Sequence, residues 1–398
     1  MSRITFYNFN LFDGKENKIV NNAWLTVDDK IGKIISRGES TPPQFGKRID
    51  LKGKYVLPGL IDAHCHIATN PEMTTINENS YQSSETELAI YAYQNLRTFL
   101  KSGVTFGRGC GTSYDIDIKL NKMAKADNLK DIPGFLPSGR AFSMTGGHGD
   151  APHLSFLVDS QNEMRKNVRT ALKNGAKIIK MMATGGVMSP QDNMINPQLS
   201  VKEMRTGVVE AHHKGIKVAA HAQANPGIQN ALDAGVDSIE HGCYVTKNQA
   251  SQMVKQGTYL TPTLTAPWSI EQKGHKVLPS WEFEKNTGVL EDMIRNFKVA
   301  YKIGVEFTCG TDSGSPFNFF DKTPIELELL TRIGMSPFEA LQCSYINSAK
   351  LCGIEKDHGT LEVGKYADFQ VLDNDPLVDI KAVQQKDKQV YLHGKREF

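Results

Sequence analysis

Two hydrophobic patterns alternate along the middle of the chain, from about residue 59 to residue 358. Short apolar or β-branched runs, typical of buried strands, are each followed by a stretch with helical periodicity. Several helical stretches stop at a glycine and the next apolar run begins at once, as in KSG-VTF, KNG-AKI and HKG-IKV. The unit occurs eight times, which predicts the parallel strands and outer helices of a (β/α)8 TIM barrel.

The two ends of the chain have a different pattern. Residues 1–58 and 359–398 contain short runs of alternating apolar and polar residues, separated by Asp-Gly, Gly and Pro turn signals. This pattern predicts strands, and the strands of the two ends could pair in one small sheet. We therefore expect a barrel domain of residues 59–358 and a smaller β domain built from both ends.

Composition and charge restrict the class of function. The 398 residues include 46 Lys plus Arg and 44 Asp plus Glu, so a net charge of +2 gives no basic field for nucleic acid or an anionic membrane. No apolar run approaches the ~18 residues of a transmembrane helix, and the first residues lack the apolar core of a signal peptide. The six cysteines form no C-x-x-C pair, which is typical of reduced thiols. We expect a cytoplasmic protein that binds a small molecule, with no membrane and no nucleic acid as partner.

Histidines stand at the ends of three predicted barrel strands, where the active-site groups of this fold lie. His64 and His66 are two residues apart, so both point to the same face of the first strand. His221 ends the fifth strand and His241 the sixth. A single buried histidine is as often a core residue as a ligand. The four together indicate a metal site, because imidazole is a common ligand of zinc and similar metals.

Two further polar residues end barrel strands. Lys180 ends the fourth strand, where a lone ammonium would be costly to bury. It is a substrate anchor, an ion-pair partner or a lysine carbamate, which forms from a neutral amine and CO2 and can bridge two metal ions. Asp312 follows the eighth strand and is either a helix cap or a metal ligand that also accepts a proton.

The motifs PGLIDAHCH, KIIKMMATGG, AAHAQ, IEHGC and CGTDSG occur in the order in which the amidohydrolase superfamily has them, and they resemble its two-metal branch. The segment TGGHGD, Thr145 to Asp150, is similar to a prolidase-like subgroup. That subgroup includes Xaa-Pro dipeptidases, carboxypeptidases for C-terminal amino acids and an ochratoxin-hydrolysing amidase. The closing segment GTLEVGKYADFQVLDNDP is also similar, and in this superfamily both chain ends build a small β-sandwich. The resemblance spans nearly the whole chain and implies a homo-oligomer.

The resemblance also implies a role for each strand-end residue. Two divalent metal ions would share the ligands. Zinc is expected, and manganese, cobalt or iron could bind to the same ligand types. The ligands would be His64, His66 and Asp312 for one ion, His221 and His241 for the other, and carboxylated Lys180 between them. A hydroxide that bridges the ions would attack the amide carbon. His148 would contact the substrate carbonyl, and Asp312 would accept the hydroxide proton and pass it to the leaving amine.

Substrate contacts are less specific in the sequence. Arg108 ends the second strand and Tyr244 follows the sixth, and either could bind a substrate carboxylate or serve as a structural partner. The segment 266–286 after the seventh strand could form a lid or pocket wall, or an ordered surface insertion.

The resemblance implies hydrolysis of an amide or peptide bond next to a C-terminal amino acid. The substrates would be dipeptides, N-acyl amino acids or an amide mycotoxin such as ochratoxin. A cyclic amide or lactone hydrolase similar to imidazolonepropionase is an alternative, but that branch usually works with one metal and has no bridging lysine. A non-catalytic scaffold would have lost ligands, and all six ligand positions are present.

Overall fold

The computed structural model describes residues 3–72, 83–187, 192–275 and 277–398. These residues form a barrel of parallel strands with helices outside it, and an eight-stranded sheet to which both chain ends contribute. Within the same residues no helix combines the length and the apolar character that crossing a membrane requires.

The strands follow one another in three groups along the chain. The first group belongs to the sheet of the chain ends: β1 (Arg3–Leu11), β2 (Val20–Asp28), β3 (Lys33–Glu39), β4 (Lys47–Asp50) and β5 (Tyr55–Pro58). The second belongs to the barrel: β6 (Leu60–Cys65), β7 (Val104–Gly109), β8 (Gly134–Leu136), β9 (Ala141–Ser143), β10 (Ser155–Leu157), β11 (Ile178–Met182), β12 (Lys217–Ala222), β13 (Ser238–His241) and β14 (Tyr259–Thr261). The third returns to the first sheet: β15 (Phe369–Leu372), β16 (Gln389–Leu392) and β17 (Lys395–Arg396).

The sheet of the chain ends has the strand order β17-β16-β15-β5-β1-β2-β3, with β4 paired parallel to β1. The two ends of the chain meet where β15 pairs antiparallel with β5. Three aromatic rings pack beside this junction: Phe6 lies edge-on to Phe369 at 5.1 Å, and Phe369 stacks on Tyr391 at 4.4 Å. Such contacts add to apolar burial, so the first and last strands of the protein stabilise one core.

The barrel strands pair parallel in two runs, β6-β7-β8 and β9-β11-β12-β13-β14. The predicted third strand is split, because Pro137 lies between β8 and β9 and proline has no amide hydrogen for a ladder bond. The predicted eighth strand is not a regular strand. Its residues 305–313 nevertheless connect strands β14 and β6. The Thr308 amide donates to Leu260 O of β14, and the Ala63 amide of β6 donates to Cys309 O. This is the predicted TIM barrel.

The helices lie outside the barrel and pack their apolar faces on its strands. They are α1 (Glu85–Ser102), α2 (Ile116–Lys125), α3 (Gln161–Asn174), α4 (Val201–His212), α5 (Gly227–Ala234), α6 (Lys247–Gln256), α7 (Thr265–Lys273), α8 (Ser280–Asn286), α9 (Val289–Ile303), α10 (Thr323–Thr331), α11 (Pro337–Gln342) and α12 (Ser348–Cys352). Capping boxes begin several of them, at Ser84 for α1 and Ser200 for α4. Several predicted glycine stops are left-handed C-caps, such as Gly103 and Gly304, whereas α4 has its C-cap at His213, two residues before the predicted Gly215. Helices α1 to α6 each return the chain to the next barrel strand, so the parallel barrel strands end at the same mouth.

Candidate metal centre and active site

Six polar side chains from strand ends converge at the mouth of the barrel. We call them the metal-ligand cluster, and they are His64, His66, Lys180, His221, His241 and Asp312. His64 is fully buried, and the other five line one cavity of about 140 Å³. Their contacts join the set into one group.

On one side of the cluster, the Oδ1 atom of Asp312 lies 3.1 Å from Nε2 of His66 and 3.4 Å from Nε2 of His64. The Nζ atom of Lys180 lies 3.3 Å from the same His64 nitrogen. On the other side, the ring centre of His241 is 5.0 Å from that of His64 and 4.6 Å from that of His221. The structure thus brings all six predicted ligand residues together.

Each imidazole of the cluster has one ring nitrogen in contact with a protein oxygen. The contacts are His64 Nδ1 to Glu240 Oε2 at 2.6 Å, His66 Nδ1 to Gly111 O at 2.9 Å, His221 Nε2 to Gly185 O at 3.0 Å, and His241 Nδ1 to Thr263 Oγ1 at 2.8 Å. At His64, His66 and His221 a carboxylate or carbonyl oxygen accepts the ring N–H, which leaves the second nitrogen with its lone pair. At His241 the partner is a hydroxyl, which can accept in the same way. Metal-binding histidines are oriented in this way in proteins.

The environment of the rings also favours the ligand form. Burial lowers the pKa of His64, His221 and His241 well below the usual histidine range. These rings are therefore neutral, as metal binding requires. The free nitrogens of His64 and His66 and a carboxylate oxygen of Asp312 lie within 4.8 Å of one another, close enough to share one ion.

Two cluster residues have an unusual backbone. His241 and Asp312 have φ angles of 71° and 60°, in the left-handed region that residues other than glycine rarely adopt. Successive side chains of a strand normally point to opposite faces. The left-handed turn at His241 allows both this ring and the preceding Glu240 to reach the barrel interior. Backbone strain of this kind is concentrated at functional sites.

Glu240 is a site residue that the sequence reasoning missed. Its fully buried carboxylate contacts His64 and accepts hydrogen bonds from Nη2 of Arg108 at 2.8 and 2.9 Å. Arg108 itself is 1% exposed, also contacts Ser238, and is not among the residues that line the cavity. Of the two roles considered for Arg108, the geometry gives that of a structural partner. An acidic residue inside an apolar strand, directly before His241, was the available signal.

His148 lies over the part of the metal-ligand cluster that contains His221. Its ring stacks on His221, with ring centres 4.4 Å apart and planes at 24°, and it lines the cavity. The stack needs a glycine at position 186, because a Cβ atom there would come within 2.3 Å of the His148 ring. The Nδ1 atom of His148 lies 3.4 Å from Oδ2 of Asp192. Burial opposes ionisation of this carboxyl, but the contact with His148 and the amide hydrogen bonds from Gly186 and Asn193 together lower the pKa of Asp192.

The two residues after the fifth and sixth strands differ in their access to the cavity. Tyr244 is half-buried, is not among the cavity-lining residues, and its phenol interacts with Asp292. Gln223, which sequence reasoning did not select, lines the cavity and is 8% exposed. Its Oε1 atom has no hydrogen-bond partner among the described residues. Gln223 stands two residues after His221, and this spacing on a strand could have indicated it.

One side of the cavity is apolar. Residues of the predicted insertion 266–286 and of the following helix form it, and we call the set Ala266, Pro267, Ile270, Val289 and Met293 the apolar wall. The first three belong to α7 and the last two to α9. The insertion thus contributes to the pocket; its residue 276 lies outside the described residues.

Comparison with known proteins gives matches over almost the whole chain. The model of the amidohydrolase family matches residues 55–396. The ochratoxinase of Aspergillus niger is 28% identical over 423 aligned residues, which cover 96% of this chain and 84% of that protein.

Solved structures also match over almost the whole chain. A crystal structure of a Xaa-Pro dipeptidase with methionine bound in the active site is 29% identical, with a TM-score of 0.90 and 99% of each chain covered. A prolidase in complex with N-methylphosphonate-L-proline is 26% identical, with a TM-score of 0.90 and the same coverage. These matches confirm the family and the fold that the sequence predicted. The chain belongs to the amidohydrolase family, in its prolidase-like subgroup, and is a hydrolase of C–N bonds.

Proposed function

We propose that the protein hydrolyses the amide bond next to a C-terminal amino acid, in dipeptides or N-acyl amino acids. The observation that carries the proposal is the metal-ligand cluster, whose histidines are each oriented by a protein oxygen around one cavity. Relatives described as a dipeptidase, a prolidase and an ochratoxinase support this substrate class.

The residues present fit two divalent metal ions, for which we propose zinc. One ion would be held by His64, His66 and Asp312, the second by His221 and His241, and both by carboxylated Lys180. Two divalent ions so placed lower the pKa of water and polarise a bound carbonyl group.

The surroundings of Lys180 support the carbamate. The side chain is 1% exposed, and no carboxylate of the described residues lies within salt-bridge distance of its Nζ atom. Its Nζ atom lies 3.3 Å from Nε2 of His64 and 3.4 Å from the carbonyl oxygen of Cys110. A buried ammonium without an anionic partner is unfavourable. An anionic carbamate would remove that charge and supply two oxygen ligands.

Two side chains are placed to handle the substrate directly. Asp312 reaches the cavity beside His66, so its carboxylate can take a proton from the attacking water and deliver it to the leaving amine. His148 reaches the cavity from the opposite side, above His221, so its ring N–H can donate to the carbonyl oxygen. The amide bond would lie between these two groups.

A metal count and a substrate screen test the proposal. The protein would be purified with zinc and bicarbonate, and dipeptides and N-acyl amino acids with every C-terminal residue would be offered. We expect two metal ions per chain and amino-acid release that a chelator abolishes. Release that persists after chelation, or none across the whole panel with two metals bound, would contradict the proposal.

The Lys180→Ala variant tests the carbamate. We expect it to lose much of its metal and activity, and short carboxylic acids to restore part of both by acting as substitute bridging ligands. Lys177→Ala is the matched control, because Lys177 is exposed and directly precedes β11, three residues before Lys180. Full metal content and rate in plain Lys180→Ala would eliminate the carbamate.

A further inference from the structure

We infer that the apolar wall is a specificity subsite that takes a large neutral side chain of the C-terminal residue of the substrate. The inference rests on the proposed function and adds the class of amino acid that the protein releases. It is carried by the apolar faces of two helices, by the distribution of charge around the cavity and by three further apolar residues that line it.

Two helices present apolar faces to the cavity. On α7, Pro267 and Ile270 are three residues apart, and on α9, Val289 and Met293 are four apart, so each pair lies on one helix face. Ile270, Val289 and Met293 are 5%, 4% and 1% exposed. The side-chain amide of Asn286 donates to Pro267 O at 3.1 Å and ties the end of α8 to α7. The wall is therefore a packed surface.

Charge around the cavity is confined to the catalytic side. Among the described residues that line the cavity, the charged or ionisable groups are those of the metal-ligand cluster and His148, with the cysteines 110 and 243. Two lysines of the insertion are not among the lining residues: Lys273 lies over the ring of Phe319, and Lys285 donates to Asp192 O at 2.5 Å. A charged substrate side chain against the wall would lose its hydration without gaining a counter-charge.

Three further apolar residues line the cavity. They are Leu154 and Val187, from the loops after the third and fourth strands, and Met182 at the end of β11. Methionine adapts its shape to irregular apolar ligands, and two methionines, Met182 and Met293, line the cavity. The combination fits side chains of the size of leucine, methionine or phenylalanine.

Calorimetric titration of the metal-loaded protein with free amino acids measures the subsite without turnover. Leucine, methionine, phenylalanine, glutamate and lysine share the same amino and carboxyl groups and differ only in the side chain. We expect the three apolar amino acids to bind at least about tenfold more tightly than the two charged ones, as burial of a side chain of that size predicts. Release rates from the corresponding N-acetyl amino acids should follow the same order.

Variants of α9 locate the effect. Met293→Glu should weaken leucine binding by about tenfold or more and strengthen lysine binding, because it places an anion in the wall. Lys298→Glu places the same residue on the exposed face of the same helix and should change neither. If Met293→Glu fails to fold, Met293→Ala should still weaken leucine binding severalfold and leave the weak binding of glutamate unchanged.

The outcomes separate the two proposals. Equal binding of apolar and charged amino acids, or no binding of leucine, overturns the subsite even if amides are hydrolysed. Tight, selective binding of leucine without hydrolysis of any amide in the panel leaves the subsite intact and overturns the proposed function.

Discussion

The two sides of the cavity are built differently. The metal-ligand cluster stands on strand ends, and each imidazole is held by a hydrogen bond to a neighbouring strand or loop. The apolar wall stands on two helices, α7 and α9, and is held by packing. Hydrogen bonds fix the direction of a lone pair, whereas packing fixes only the shape and size of a space. We therefore expect substitutions in the cluster to change metal content and rate, and substitutions in the wall to change substrate choice.

The two sides meet at residues 263–265. Thr263 contacts His241 Nδ1 at 2.8 Å, and the next two backbone amides, of Leu264 and Thr265, donate to the carboxyl of Glu326 on α10 at 2.9 and 2.7 Å. Leu264 is the N-cap of α7, and Thr265 is its first residue. One short segment thus positions a predicted metal ligand on one side and the first helix of the wall on the other.

The largest expected effect that separates the two sides is that of Asp312→Asn. Asparagine keeps the shape and an oxygen ligand but cannot accept the proton, so kcat should fall on the order of 10³-fold. Metal content and leucine binding by calorimetry should stay close to those of the unchanged protein. The control is Asp321→Asn, because that carboxylate is 55% exposed and pairs with Lys322. A near-normal rate in Asp312→Asn would exclude its role in proton transfer.

Glu240→Gln should change metal binding by the cluster, because Glu240 contacts His64 and is not among the residues that line the cavity. Loss of the carboxylate that contacts His64 should weaken metal binding by about 10- to 100-fold, the effect of removing such a partner. It also leaves the Arg108 charge buried and unpaired, which costs about 3–5 kcal/mol of unfolding free energy. Chelator competition and urea unfolding measure the two effects.

A double variant distinguishes these two effects of Glu240. Arg108→Met together with Glu240→Gln removes the unpaired charge, so stability should recover in part while metal affinity stays low. Glu210→Gln is the control, because that carboxylate pairs with surface arginines. Unchanged metal affinity in Glu240→Gln would mean that the contact with His64 does not orient the ligand.

The difference between the two sides of the cavity also explains which parts of the site could be predicted from the sequence. The ligand positions could be predicted because a strand end is a local feature: HCH, AAHAQ and IEHGC each place a histidine after an apolar run. The bond between Arg108 and Glu240 could not, because it joins strands that lie 132 positions apart in sequence and its geometry exists only in the closed barrel. The wall could not be specified either. Its residues are ordinary apolar helix residues, and only the orientation of α7 and α9 shows which of them reach the cavity.

Glu326, which binds the segment where the two sides of the cavity meet, should make the unfolding free energy depend on pH. Burial raises the pKa of Glu326 from 4.5 to about 8, although two amide donors oppose the shift. Between these values the folded protein holds a proton that the unfolded chain has released. Unfolding free energy should therefore fall as pH rises from 4.5 to 8, by up to about 1.4 kcal/mol per pH unit from this group. Urea unfolding of Glu326→Gln should lack this part of the slope, and an unchanged slope would contradict the assignment.

The smallest effect concerns Gln223, which stands on the catalytic side but has no place among the proposed ligands. Its terminal amide lines the cavity and its Oε1 atom lacks a partner among the described residues, so a bound substrate can supply one. One neutral hydrogen bond contributes about 0.5–1.5 kcal/mol, so Gln223→Leu should raise KM by about two- to tenfold with kcat and metal content nearly unchanged. If kcat falls and KM does not, Gln223 contacts the transition state instead. If metal is lost, Gln223 supports the orientation of His221 instead of binding substrate.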